Sequence, residues 1–274
     1  MNQNLDTHKV ERFLALHHSE QPLLVANPWD PGSAKLFEAV GYPALATTSG
    51  GLAASQGRLD GGTSLQQVLD HSREIANSVA VPVIGDFEDA FADAPADVAR
   101  NIGLVRETGL IGCSIEDYTR RPDDPIYEFA HAVERVAAAA EAAHAGPSPF
   151  VLTARCENHL RGRPDIADTI KRLQAYQEAG ADVLFAPMVL DLTDLRSLVS
   201  SVDLPVNVMA MPGGPSVAQF TEAGAARISL GGMLSYVALG GAVRAAKEVL
   251  EEGTFGPWSE FGVAYPLMQT AFTR

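Results

Sequence analysis

The feature that most limits how this chain can fold is one alternation carried from end to end. Short apolar runs, each too short for a helix, are separated by longer stretches of helical periodicity. The strand-like runs are Leu23–Pro28, Ala44–Ser49, Val81–Asp89, Gly112–Asp117, Phe150–Glu157, Asp182–Met188, Pro205–Ala210 and Arg227–Gly232. They are rich in Val, Ile, Leu, Phe and Thr, and several follow Pro or Gly. Between them the spacing predicts helices over Ser33–Val40, Leu65–Val79, Ala96–Thr108, Ile126–His144, Ile166–Ala179, Leu192–Ser200, Val217–Ala223 and Met233–Glu251. Many end at glycine (Gly41, Gly109, Gly146, Gly180, Gly224, Gly253), as helix C-termini often do. Eight strands alternating with eight helices imply an α/β fold with a parallel sheet closed into a (β/α)8 TIM-type barrel. An open doubly wound sheet is disfavoured, because no Gly-x-Gly-x-x-Gly follows the first strand.

No linker or low-complexity tract divides the chain, so residues 1–274 read as one barrel domain with 253–274 as a C-terminal extension. That extension carries Phe255, Trp258, Phe261, Tyr265, Leu267 and Phe272, which need the barrel or another subunit to cover them. The chain is 46% hydrophobic and 20% charged, enough to bury a large core. Its net charge of −14 argues against nucleic acid or an anionic membrane as partner. The opening MNQNLDTHKVERF has no signal-peptide core, and no apolar run is long enough to span a bilayer. Two cysteines are too few for a disulfide framework, so the expected location is the cytoplasm.

In a parallel barrel the active site lies at the C-terminal ends of the strands, and polar residues collect there. The second run ends in Thr47-Thr48-Ser49-Gly50-Gly51, the third in Asp86-Phe87-Glu88-Asp89, and the fourth in Glu116-Asp117. The fifth ends in Arg155-Cys156-Glu157-Asn158-His159, and the seventh contains Asn207. Asp86 and Glu88, two apart on a strand, are expected to face the same way. Converging carboxylates repel, and a divalent cation removes the conflict; an oxygen-only donor set favours Mg2+ or Mn2+ over zinc. The competing reading is that these acids cap helices or pair with arginines. A Schiff-base mechanism is disfavoured, since Lys9, Lys35, Lys171 and Lys247 all lie outside the strands. Gly213-Gly214 and Gly231-Gly232 allow a phosphate cradle or simply tight turns.

The segments Asn27-Pro28-Trp29-Asp30, TTSGGLAASQGRLDGG, GDFEDAF, IED, TARCEN and PVNV together resemble the isocitrate lyase/phosphoenolpyruvate mutase superfamily over nearly the whole chain. The resemblance implies a Mg2+-binding barrel, tetrameric or dimeric with its eighth helix swapped between neighbours. It also implies chemistry on a bond beside a 2-oxo or 2-hydroxy carboxylate. Carried over by position, Ser49, Gly50 and Gly51 would hold the substrate carboxylate, and Asp60 would be the acid beside the metal. Asp86 would be the direct ligand, with Glu88 and Glu116 acting through metal-bound water. Arg155 would pin substrate oxygens, Asn207 would be a polar contact in the mouth, and Trp29 would wall the pocket.

The gate loop departs from the lyase pattern. It reads Tyr118-Thr119-Arg120-Arg121-Pro122-Asp123-Asp124, with neither the lyases' cysteine and histidine nor the phosphonate branch's lysine and asparagine. Pro187 stands where relatives place a Glu or His. His159, Tyr118 and Arg121 are the remaining proton-donor candidates, while Cys113 and Cys156 read as core. The leading expectation is a Mg2+-dependent C–C lyase acting on a small 2-oxo or 2-hydroxy di- or tricarboxylate. P–C bond chemistry on a phosphonopyruvate-like substrate, and a catalytically silent 2-oxo-acid-binding barrel, are the alternatives.

Overall fold

The computed structural model of the chain describes residues 7–273 apart from 147. It opens with α1 (Thr7–Leu16), β1 (Leu23–Val25), α2 (Pro31–Val40), β2 (Leu45–Ala46), α3 (Ser49–Ser55) and α4 (Leu65–Ala76). The middle holds β3 (Val83–Gly85), α5 (Pro95–Arg106), β4 (Gly112–Glu116), α6 (Phe129–His144), β5 (Val151–Arg155) and α7 (Ile166–Glu178). There follow β6 (Val183–Phe185), α8 (Leu192–Val199), β7 (Val206–Met209), α9 (Val217–Glu222), β8 (Arg227–Ser229) and α10 (Met233–Glu251). A 3-10 turn (Gly256–Glu260) and α11 (Phe261–Ala271) end the described chain.

All eight strand pairings expected of a barrel are present and parallel. The strands run β1-β8-β7-β6-β5-β4-β3-β2, and a parallel bridge from Ala26 to Leu45 closes the ring. Each strand falls inside its predicted run but stops earlier. Glu116 and Arg155 are the last residues of β4 and β5, whereas Ser49, Asp86 and Glu88 follow the ends of β2 and β3. Helix ends follow the glycine punctuation: Gly41 (φ 110°) and Gly180 (φ 101°) take the left-handed conformation that side chains with a Cβ avoid.

Two elements were not predicted. Helix α1 lies within the segment read only as a polar opening. Its buried Val10 and Phe13 pack with Leu23, Val25, Ala44, Ala46, Ile84, Ile111, Val151 and Val183, a cluster separate from the main core. Most of these residues sit at the strands' N-terminal halves, so α1 plugs the bottom of the barrel. Helix α3 starts at Ser49, in the segment read as a turn. Its tight entry needs small residues: a Cβ on Gly51 would sit 2.5 Å from Thr48 Cγ2, and one on Gly50 would sit 2.5 Å from Tyr236 Oη.

Helix α10 buries Ser235 in its first turn. Tyr236, Val237, Leu239, Val243 and Leu250 are exposed along it. Beyond it, α11 returns to α2, where Phe272 Cζ lies 3.7 Å from the Cβ position of Gly32. No described helix is long and apolar enough to cross a membrane.

Candidate active site

The strand ends converge on two hollows that share Arg155 as a wall. The outer mouth, about 270 Å³, is lined by Ser49, Asp60, Glu88, Glu116, Arg155 and Arg161, with Tyr118 and Arg120 of the gate loop. The inner hollow, about 60 Å³, reaches down the barrel from Asp86 and Arg155 past Thr153 and Asn207 to Arg227.

Arg155 organises the acids. Its Nη1 lies 3.3 Å from Glu116 Oε2 and 3.7 Å from Asp86 Oδ1, and its Nε donates to Glu157. Burial alone would lower the Arg155 pKa, but Glu157, Glu116 and Asp86 outweigh it and hold the guanidinium firmly charged. Glu116 is pushed well above the usual carboxylate range by burial, with Glu157 and Asp86 adding to the effect and Arg155 opposing it. Burial also drives Glu88 up to about 7, against the pull of Arg120, whose Nη2 donates to Glu88 Oε2 at 2.9 Å. The site therefore holds more negative charge than its arginines comfortably neutralise.

Asp86 carries an oxygen that the protein leaves without a hydrogen bond. Its Oδ2 accepts the Ser49 amide at 2.9 Å, whereas Oδ1 is buried without a hydrogen-bond partner. Among the described residues no three His, Cys, Asp or Glu side chains close around one point. A single inner carboxylate oxygen, with Glu88 and Glu116 standing back, suits an ion that keeps its waters and takes few protein ligands. Mg2+ or Mn2+ fits that donor set; a zinc site closed by His and Cys does not.

A sequence model of the family described as phosphoenolpyruvate phosphomutase matches residues 13–250. The chain belongs to that family. It is 32% identical over 202 residues to 2-methylisocitrate lyase of Escherichia coli K12, covering 71% of this chain and 67% of the relative. An uncharacterised Mycobacterium tuberculosis H37Rv protein is 32% identical over 238 residues, covering 86% and 88%. Among solved structures, a candidate lyase/mutase from Burkholderia cenocepacia J2315 superposes with a TM-score of 0.90 at 44% identity, covering 94% and 93%.

Several residues sit differently from the positions expected of them. Asp86 and Glu88 do not share a face by strand alternation, because β3 ends at Gly85 and Glu88 lies in a left-handed turn (φ 48°). That turn brings Glu88 to the mouth instead. In the Ser49-Gly50-Gly51 segment, the Ser49 amide is taken by Asp86 and the Gly51 amide by Thr48 Oγ1, so neither is free for a substrate carboxylate. Trp29 lines a neighbouring cleft with Asp30, Asp70 and His71 rather than the mouth. Asn207 is buried in the inner hollow, its Oδ1 accepting from Arg227 Nε and its Nδ2 donating to Ser229 Oγ.

The remaining acids follow the competing reading. Asp89 is clamped by Arg120, and Asp117 accepts from the Glu157 amide, Tyr176 Oη and Arg172. Glu157 bridges Arg155 and Arg161. His159 is half-buried beside Asp194 and Asp165, and burial lowers its pKa. Arg121 pairs with Asp124 away from the mouth. Cys113 and Cys156 are buried free thiols pushed up by burial, as core residues are. Tyr236 packs on Gly232, where its Cε2 lies 2.9 Å from the Cβ position, and fills that part of the suggested phosphate cradle.

Two mouth arginines escaped the sequence reading. Arg120 spans Glu88 and Asp89, and Arg161 stacks 3.5 Å over the Tyr118 ring while donating to Glu157. The only available signal was basic residues in loops that follow acidic strand ends.

Proposed function

We propose that this chain is a Mg2+- or Mn2+-dependent lyase. It would cleave a C–C bond beside the carboxylate-bearing carbon of a small 2-oxo or 2-hydroxy di- or tricarboxylate. The observation that carries this reading is the buried, unpartnered Asp86 Oδ1 beside the charged fork of Arg155. Asp86, with Glu88 and Glu116 behind it, would hold a divalent cation there, which would supply positive charge against the negative charge that grows on the substrate as the bond breaks.

The chain's own residues account for the rest. Asp86 Oδ1 would hold the ion, while the Ser49 amide fixes the carboxylate's orientation through Oδ2. Glu88 and Glu116 would accept hydrogen bonds from water around it. Arg155, planar and permanently charged, would donate to the substrate oxygens while staying anchored by Glu157. Tyr118, Arg120 and Arg161 form the outer wall and limit water access. The gate loop offers no thiol or imidazole, so a leaving group that departs as CO2 suits the site. From a 2-oxo acid such a step passes the electron pair of the broken bond into an enolate, which takes its proton from water, and asks no side chain to protonate the departing CO2.

The lyase name of the E. coli relative supports the C–C branch. The family description keeps P–C chemistry as the second reading. The buried free thiols suit a reducing cytoplasm, and the apolar length of α10 suits a homo-oligomer joined through that helix. The test incubates the protein and Mg2+ with malates, citrates, oxaloacetate and phosphonopyruvate, following release of 2-oxo acid, CO2 and phosphate. EDTA and Asp86→Asn should each abolish turnover; activity surviving both would overturn the metal assignment. Phosphate release alone would select the second reading.

A further inference from the structure

Arg227 begins β8 and is 2% exposed. Its guanidinium lies deep in the barrel, where Nε donates to Asn207 Oδ1 at 2.9 Å and Nη2 to Thr153 Oγ1 at 3.2 Å. Nη1 lies 3.3 Å from His17 Nε2. His17 Nδ1 is 2.9 Å from the Phe13 carbonyl, so the proton belongs on Nδ1 and Nε2 offers a lone pair. Every partner is neutral, and no carboxylate among the described residues faces this cation. A guanidinium has five N–H donors, so these three acceptors leave donors to spare on the wall of the inner hollow.

A buried charge without a counter-ion is costly. A fold gains nothing from keeping one unless something else supplies the anion. The hollow offers room: about 60 Å³ is several water-sized positions, enough for a carboxylate group. Its depth also suits a substrate. Thr153 and Arg155 lie two residues apart on β5 and both line it, so Arg227 sits roughly 6–7 Å below the Arg155 layer.

We propose that the inner hollow is an anion subsite in which Arg227, supported by Asn207 and Thr153, receives the distal carboxylate of a dicarboxylic substrate whose other end is held at Asp86 and Arg155. This rests on the function proposed above and assigns the residues that would recognise the second carboxylate of its substrate. The carboxylate next to the 2-oxygen belongs at Asp86 and Arg155, and Arg227 has only the distal carboxylate to take, so the extended acid would bind in one direction only.

The test measures binding to the Mg2+-loaded protein by calorimetry and thermal shift, using oxalate, lactate and malate. Oxalate and lactate can chelate at the mouth, but only malate adds a distal carboxylate. Wild type should prefer malate over lactate by about 10-fold or more, as expected for a charge-assisted contact. Arg227→Met should remove that preference, leave oxalate affinity within about twofold, and melt no lower than wild type when ligand-free. Thr153→Val keeps the charge and serves if the methionine variant misfolds; it should weaken malate about threefold and leave oxalate unchanged. A malate preference that survives these substitutions would overturn the subsite. So would Arg227-dependent stabilisation by chloride with none by malate, which would make it a site for free inorganic anions. Failure of oxalate to bind wild type would overturn the metal reading, and the subsite with it.

Discussion

Ser49 and Asp86 are 37 residues apart in sequence, and the Ser49 amide donates to Asp86 Oδ2 at 2.9 Å where β2 and β3 end. That bond occupies one carboxylate oxygen and leaves Oδ1 buried without a hydrogen bond, 3.7 Å from Arg155 Nη1. Asp86→Asn can keep the Ser49 bond through its amide oxygen while removing one of the repelling charges. If Asp86 holds the ion as proposed, Mg2+ binding by calorimetry and turnover should both fall at least about 100-fold. The melting temperature should hold or rise.

Arg155 is the cation that Glu116, Glu157 and Asp86 share. Arg155→Met leaves those acids uncompensated and should cost about 3–5 kcal/mol, read from denaturant unfolding. Arg155→Lys should recover part of that stability but little activity, because an ammonium cannot reproduce the planar fork. Equal activity in the lysine variant would refute a substrate role for this arginine.

Burial holds Glu88 near 7, which sets a sign for metal affinity. Below that pH the proton competes with the cation, so Mg2+ affinity should rise between pH 6 and pH 8 with release of up to about one proton. Glu88→Gln should flatten that dependence. In the metal-free protein the folded state holds this proton more tightly than the unfolded chain does. The Glu88 contribution to stability is therefore complete below pH 4.5 and is lost as pH rises through about 7.

His17 carries the opposite sign. Burial, together with Arg227, pulls it down to about 3, so it is neutral in the fold and protonated in the unfolded chain below pH 6.5. Its contribution is present above pH 6.5 and fades toward pH 3, with a slope of at most about 1.4 kcal/mol per pH unit. Acid unfolding of His17→Gln should be shallower than wild type over that range; an unchanged slope would count against the neutral His17–Arg227 contact.

Val237 and Val243 are exposed on α10, 66% and 54% respectively. Val237→Glu with Val243→Glu should reduce the mass seen by light scattering to that of one chain, with far-UV circular dichroism unchanged. A mass that matches wild type would remove α10 as the contact.

Much of the architecture was already written in the chain. Strand and helix periodicities record which side chains face a core, and that information is local, so all eight strands lie within their predicted runs. The same holds for the acids and Arg155 at the strand ends, because their position follows from where each strand stops. Which acid meets which base was not legible. Asp117 finds Tyr176 59 residues away, and Arg227 finds His17 210 residues away, because barrel closure sets those distances. Local pattern likewise misread Asp86 and Glu88: a left-handed residue after β3 overrides the two-residue alternation and aims Glu88 itself.

The sequence by itself thus determined a parallel barrel with a crowded carboxylate mouth. Only the tertiary structure sorted those carboxylates into an Asp86 with one oxygen that accepts no hydrogen bond and a supporting set of ion pairs. It alone placed an unpaired arginine on the floor beneath them. The physical reason is that periodicity encodes burial, whereas charge compensation depends on distances between strands that the chain brings together only when the ring closes.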